Sequence, residues 1–370
     1  MRFMSMKLSC VLVSLATVFI SASTAMSEER VVPLNISLMP PFAIAGSGDS
    51  VVSNISWGIV TKTARIEGAS FSVVNIHTKS VRGLQSAWLV GTSGGSVDGL
   101  QSSLIVSSAK GDVNGAQVAV VVNHAGGSVD GMQVTGLISH ASSSTKQISG
   151  IMSIAPSAGY QLSGLMSHAA SAGNQTSGLM SYAPSAGNQV SGFMSHASTA
   201  RLQASGFMNY VRDTVGVQIA GIVNVAHKST VQSGLINVTG HSEGTQLGFI
   251  NIAQQQDGVP LGAFSYVKGV PVRLNTWSDE TGFANIGIVS GLPNIYSMFV
   301  VGYRSYDTPK WWSVGYGFGA HVTRGANFYQ FDWVTTAMFN EDDPEFNENI
   351  SRLRFALGRQ LASLCMPVQA

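Results

Sequence analysis

Charge is scarce in this chain. Lys, Arg, Asp and Glu make up 11% of its 370 residues, against about 25% in an average soluble domain. The formal net charge is +1, which excludes the basic stripe a nucleic-acid binder needs. Only two cysteines occur. Proline numbers 11, too few for collagen or a Pro-rich disordered tail. Past the first thirty residues no apolar run reaches the roughly 18 needed for a membrane-spanning helix. What is abundant is glycine, at 41 residues, in a chain that is 45% hydrophobic. That content excludes wholesale disorder and points to a Gly-rich, all-β protein.

The first 27 residues read as a secretory signal peptide. Arg2 and Lys7 form a basic start, Leu8 to Ala22 is apolar, and small residues come next at Ser23-Thr24-Ala25. The apolar run is too short to span a bilayer. Cys10 lies inside it, so cleavage leaves Cys365 alone. A mature chain with one thiol has no internal disulfide, and its stability comes from packing and backbone pairing.

A repeat dominates the mature chain. Val81-Arg-Gly-Leu-Gln85, Val97-Asp-Gly-Leu-Gln101, Val113-Asn-Gly-Ala-Gln117 and Val129-Asp-Gly-Met-Gln133 are spaced by sixteen residues. Glutamine then recurs at 147, 161, 175, 189 and 203, and again at 218, 232 and 246, in steps of fourteen or fifteen. Gly comes two or three residues later, as in Gly150, Gly164 and Gly178. About fourteen such units fit between residues 66 and 266. Gln218-Ile-Ala-Gly-Ile-Val-Asn-Val-Ala226 is β-branched and lacks a helical period. Small residues make the corners, as in Pro156-Ser-Ala-Gly159.

Fourteen extended residues give about 46 Å of chain, enough for two short strand faces and two corners. Stacked in parallel, such rungs set Gln on Gln, and Asn or Ser on its own kind, so that amides satisfy one another along the axis. The expected architecture is a β-solenoid over 66–266. An N-terminal β segment or cap precedes it over 28–65. The rival is an antiparallel transmembrane barrel, favoured by the absence of Asp, Glu, Lys and Arg from residues 147 to 200. That topology would throw successive glutamines to opposite ends. Residues 89 to 248 also hold only five aromatics, too few for interfacial girdles.

From residue 267 to 370 the texture becomes aromatic. Met298–Tyr303, Trp311–Val322, Asn327–Phe339 and Ile350–Gly358 read as antiparallel, outer-membrane-like strands. Five or six fit, too few for an independent barrel of eight, so they are expected to cap the solenoid or extend its sheet.

The units resemble those of the bacterial exported surface-repeat proteins, a family named from a Leptospira member, with the pattern Gly-x-Gln-x-x-Gly-x-x-Asn. Gly216-Val-Gln-Ile-Ala-Gly-Ile-Val-Asn224 and Gly131-Met-Gln-Val-Thr-Gly-Leu-Ile-Ser139 match it best. In the middle rungs this chain departs from it, with Ser in place of Asn. The resemblance implies export and an outer-membrane or cell-surface location ahead of the periplasm. It carries no functional residue across.

Candidate chemistry is thin. Met166/His168 and Met194/His196, with Met180/Tyr182 and Met208/Tyr210 in the same places, share a strand face. Thioether and imidazole suit Cu(I), but alternation with Tyr would separate His168 from His196 by two rungs, and a packing ladder explains the pattern better. Gly315-Tyr-Gly-Phe-Gly319 lacks the helix a phosphate loop needs. Glu341, Asp342, Asp343 and Glu345 lack the alternation of a calcium loop and read as a solvated hairpin tip. No nucleophile elbow or metalloprotease motif occurs, and the central rungs lack charges for a glycosidase groove. A regular Ser/Ala/Thr face suggests glycan or ice binding by analogy alone. The expectation is a non-enzymatic exported envelope protein with a structural, adhesive or interaction role. No catalytic, cofactor or metal residue is assigned, and an envelope or host-surface component is the partner. A ligand-binding module for glycan or soft metal, or a transmembrane β-barrel, is the alternative.

Overall fold

The computed structural model describes residues 28–305, 310–325, 327–340 and 348–359. The segment read as a signal peptide, both cysteines and the acidic run Glu341–Glu345 lie outside them. Among the described residues there is no helix. The chain forms a parallel β-solenoid of about 13 turns, with a six-stranded antiparallel sheet after it. The rungs run parallel, which removes the antiparallel barrel as the architecture of the repeat.

Register tracks the sequence period. Met152, Ser153 and Gln161 pair with Met166, Ser167 and Gln175, one 14-residue step on. In the longer rungs Gln85 pairs with Gln101, and Gln101 with Gln117. Parallel pairing already begins at Arg30, which stands beside Val51, so residues 28–65 contribute rungs of the same kind. At roughly 4.8 Å per rung the rod is about 60 Å long.

Alternation decides what lies inside. Gln175, Ser177, Ser181 and Ala183 are buried, while the residues between them point outward. The interior is therefore narrow and built of Gln, Ser, Asn, Ala and Val, with larger apolar side chains mostly outside. Buried amides require partners, and the stack supplies them. Gln175 Nε2 donates to Gln161 Oε1 at 2.8 Å and to the Tyr182 carbonyl across the rung at 3.2 Å. The same pair of bonds repeats at Gln189, which donates to Gln175 at 2.9 Å and to His196 at 3.2 Å. Each glutamine thus ties its rung to the preceding one and the two strands of its own rung to each other.

A second column behaves differently in its two halves. In the middle rungs Ser153, Ser167, Ser181 and Ser195 each pair with the Ser four residues earlier, as Ser177 Oγ does with Ser181 Oγ at 2.8 Å. Toward the C-terminus Asn replaces Ser, and Asn224 Nδ2 donates to Asn237 Oδ1 at 2.9 Å. Asn237 donates in turn to Asn251 at 2.9 Å. The asparagine column donates toward the C-terminus, whereas the glutamine column donates toward the N-terminus. The two sets of amide dipoles run in opposite directions.

Close approach explains the glycine beside the corner. A Cβ on Gly178 would fall far inside van der Waals contact of the Gly164 carbonyl oxygen on the preceding rung.

The tail is a six-stranded sheet of Arg273–Ser278, Ala284–Gly291, Ile295–Arg304, Trp311–Arg324, Asn327–Asn340 and Glu348–Arg359, paired in chain order. It caps the rod. Ser265 N donates to Ser290 Oγ, and Tyr316 Oη donates to the Gly262 carbonyl at 2.6 Å. The Gly315–Gly319 run is a strand of this sheet.

Candidate functional site

The residue after each corner glycine is apolar and turned to solvent. Leu137, Ile151, Leu165, Leu179, Phe193, Phe207, Ile222, Leu235 and Phe249 form one column of nine, each at least 36% exposed. Backbone bonds from Leu179 N to Leu165 O and from Phe193 N to Leu179 O set the column's register. Phe193 and Phe207 stack with ring centroids 4.8 Å apart. The column continues toward the N-terminus through Val121, Ile105 and Leu89, and beside it, in the place of the corner glycine, stand Val120, Leu104 and Trp88, which is 76% exposed.

Outward columns flank this corner on both sides. One holds Val118, Val190, Ile219 and Leu247, each directly after its glutamine. The other holds Met152, Met166, Met180, Met194 and Met208 in register. From Trp88 to Ile252 none of these outward positions carries Asp, Glu, Lys or Arg.

The charged side chains of these rungs gather around the opposite corner. Lys228 pairs with Glu243 at 2.6 Å, and His241 Nε2 meets Asp257 at 2.7 Å. The extra residue of the fifteen-step rung falls there too, where the register shifts between Val211 and Thr214 and Arg212-Asp213 stand opposite the single His227. The rod is amphipathic about its axis. Exposed apolar bands are a feature of interaction surfaces.

Beyond the methionines lies a ring column. His168 stacks on Tyr182 at 4.9 Å, Tyr182 on His196 at 5.0 Å and His196 on Tyr210 at 5.0 Å. His168 and His196 are two rungs apart, so one ion cannot join their imidazoles. Burial holds both below the ordinary histidine pKa, as it does His124 and His140, which favours the neutral imidazoles. Among the described residues no three His, Cys, Asp or Glu side chains come together as a metal site. The Ser columns that would line a hydroxyl face are interior.

The inner side of the sheet is mixed, with an apolar cluster of Val289, Tyr296, Met298 and Val300 beside a buried polar group. Asp332, fully buried on its inner side, accepts from Tyr296 Oη at 2.6 Å and from Arg354 Nη2 at 2.6 Å. Ile286, Phe299, Val314, Trp333 and Phe355 alternate with such residues and are exposed. The sheet is tightly curled. In a flat sheet the first and last of six strands would be about 24 Å apart. Here the Arg354 guanidinium lies 4.8 Å from the Trp277 ring centroid, and Arg352 Nη1 is 3.2 Å from Asp279 Oδ2.

Reading the sequence found the columns but missed the apolar edge. Its signal was present: in rung after rung, certain positions relative to Gln never carry a charge. Comparison with protein-family models, curated proteins and solved structures finds no match.

Proposed function

We propose that the chain is a non-enzymatic, exported envelope protein that acts as a rigid interaction scaffold. The observation that carries this reading is the uncharged apolar edge running along the rod. Burying the exposed half of a Leu, Ile or Phe contributes about 1 kcal/mol. Nine corner positions sum to several kcal/mol before the cost of association. The uncharged band offers no acid–base pair, which favours binding over catalysis. Export is supported by the apolar segment after Arg2 and Lys7 and by the resemblance to exported surface-repeat proteins.

Fractionation of cells carrying an epitope between Arg212 and Asp213 tests the reading. That corner already accommodates an inserted residue. The mature protein is expected in the envelope fraction, with the epitope cleaved by protease added to intact cells if the rod faces outward. Recovery of the protein wholly in the cytoplasm contradicts it.

A further inference from the structure

We propose that the outward face of the six-stranded sheet is a lipid-contacting surface that sits in the hydrocarbon of a bilayer and anchors the rod. This deepens the envelope reading and rests on it.

Polarity is the first support. A sheet that caps a soluble rod would put its apolar side chains against the rod and its polar ones in water. Here Asp332, Arg352, Arg354 and Asn285 are turned inward and joined to partners. The exposed side is apolar, which is the alternation of lipid-facing strands. On that side Thr335 Oγ1 and Ser351 Oγ stand 2.9 Å apart across two strands.

Length is the second. Along Trp311–Arg324 the alternate residues Trp312, Val314, Phe318, Ala320 and Val322 are all apolar or aromatic, and Tyr316 among them turns its hydroxyl to the rod. They cover eleven residues, and about 9–11 suffice for a tilted strand to cross the hydrocarbon core. Lys310 and Arg324 stand just beyond that span at its two ends.

Shape chooses lipid over a second copy of the chain. The sheet curls until side chains of its first and last strands meet at Trp277–Arg354 and Asp279–Arg352. Its apolar side is therefore convex and wraps around the unit, from Ile286 to Phe355. One flat partner would cover one sector of such a surface, whereas acyl chains cover all of it outside the sector where Ser290 and Tyr316 bond the rod. An open strand edge is excluded from lipid, so the seam between Arg273–Ser278 and Glu348–Arg359 must face protein or close by pairing. The rod's apolar edge joins this face at the Tyr316–Gly262 bond.

The test uses the full mature chain with phosphatidylcholine vesicles. The wild type is expected to float with the vesicles and to resist a high-salt wash. A variant keeping only Trp333, with the other tryptophans changed to Phe, should be quenched by brominated phosphatidylcholine. One keeping only the inward Trp277 should not. Phe355→Glu should weaken flotation about tenfold or more. Absence of wild-type flotation overturns the proposal, as does a lipid-free dimer that shields Trp333. Flotation is read on purified protein and fractionation on cells, so each reading can fail alone.

Discussion

Gln246 and Pro260 stand in register on successive rungs, and there the glutamine column stops. Pro260 offers no amide, and the buried Gln246 Oε1 has no hydrogen-bond partner. At the other column's start the Asn209 Oδ1 is also unpartnered. Each ladder leaves one acceptor unmet at the end opposite to the direction in which it donates. The rod thus ends where the amide chain can no longer be continued, and the curled sheet covers that end.

Position in the ladder should set the cost of losing an amide. Gln175→Leu would strip a donor from Gln161 and an acceptor from Gln189, leaving buried groups unpaired at about 1–3 kcal/mol each. Gln246→Leu removes one axial bond and also the unmet Oε1. Chemical denaturation should show Gln175→Leu destabilised by about 3 kcal/mol or more and Gln246→Leu by about 1 kcal/mol.

Gly178→Ala drives a methyl group into the Gly164 carbonyl oxygen. The rungs would have to part, so a loss of several kcal/mol is expected, beyond the usual range of about 0.5–3 kcal/mol. A melting temperature within a degree or two of wild type would refute this account of the column.

Acid should weaken the N-terminal rungs. His77 is fully buried with Nδ1 2.7 Å from Thr63 Oγ1, and burial pushes its pKa down from 6.5 to about 3. A lowered folded-state value means the unfolded chain takes up the proton first. The neutral form's stability is whole above about pH 6.5 and is lost as pH falls from there toward 3. The loss should reach about 2 kcal/mol at pH 5, and His77→Gln should flatten the profile. Urea midpoints across that range provide the check.

Corner residues should be dispensable for folding yet needed for binding. Leu179→Asn with Phe193→Asn changes exposed side chains only, so stability should stay within about 0.5 kcal/mol per site. Recovery of the protein with the envelope should fall. A large loss of stability would show instead that these side chains serve the core.

Much of the fold was legible because one residue type sat at one period. The Gln spacing implied parallel rungs in register, and the Arg352/Leu353/Arg354/Phe355 alternation implied a two-faced strand. The interior was less legible. Leu165 and Phe193 look like core residues by type, while Ser181 and Gln175 look like surface. The rung interior is narrow, so mostly amide, hydroxyl and small apolar residues go inside, and most large apolar ones go outside. The sense of the amide ladders depends on which atom faces which, and no sequence pattern encodes it. The curl that joins Trp277 to Arg354 comes from tertiary packing.

The central claim is that successive rungs stack in parallel and so align Leu137, Phe193 and Phe249 on one edge. Nitroxide labels at residue 137 paired with 193 or with 249, in a Cys365→Ser background, measure it by dipolar spectroscopy. Four and eight rungs separate these pairs, giving backbone spacings of about 19 and 38 Å, so the second distance should be double the first. Two distances that do not scale with rung number would contradict the stacking, and with it the apolar edge.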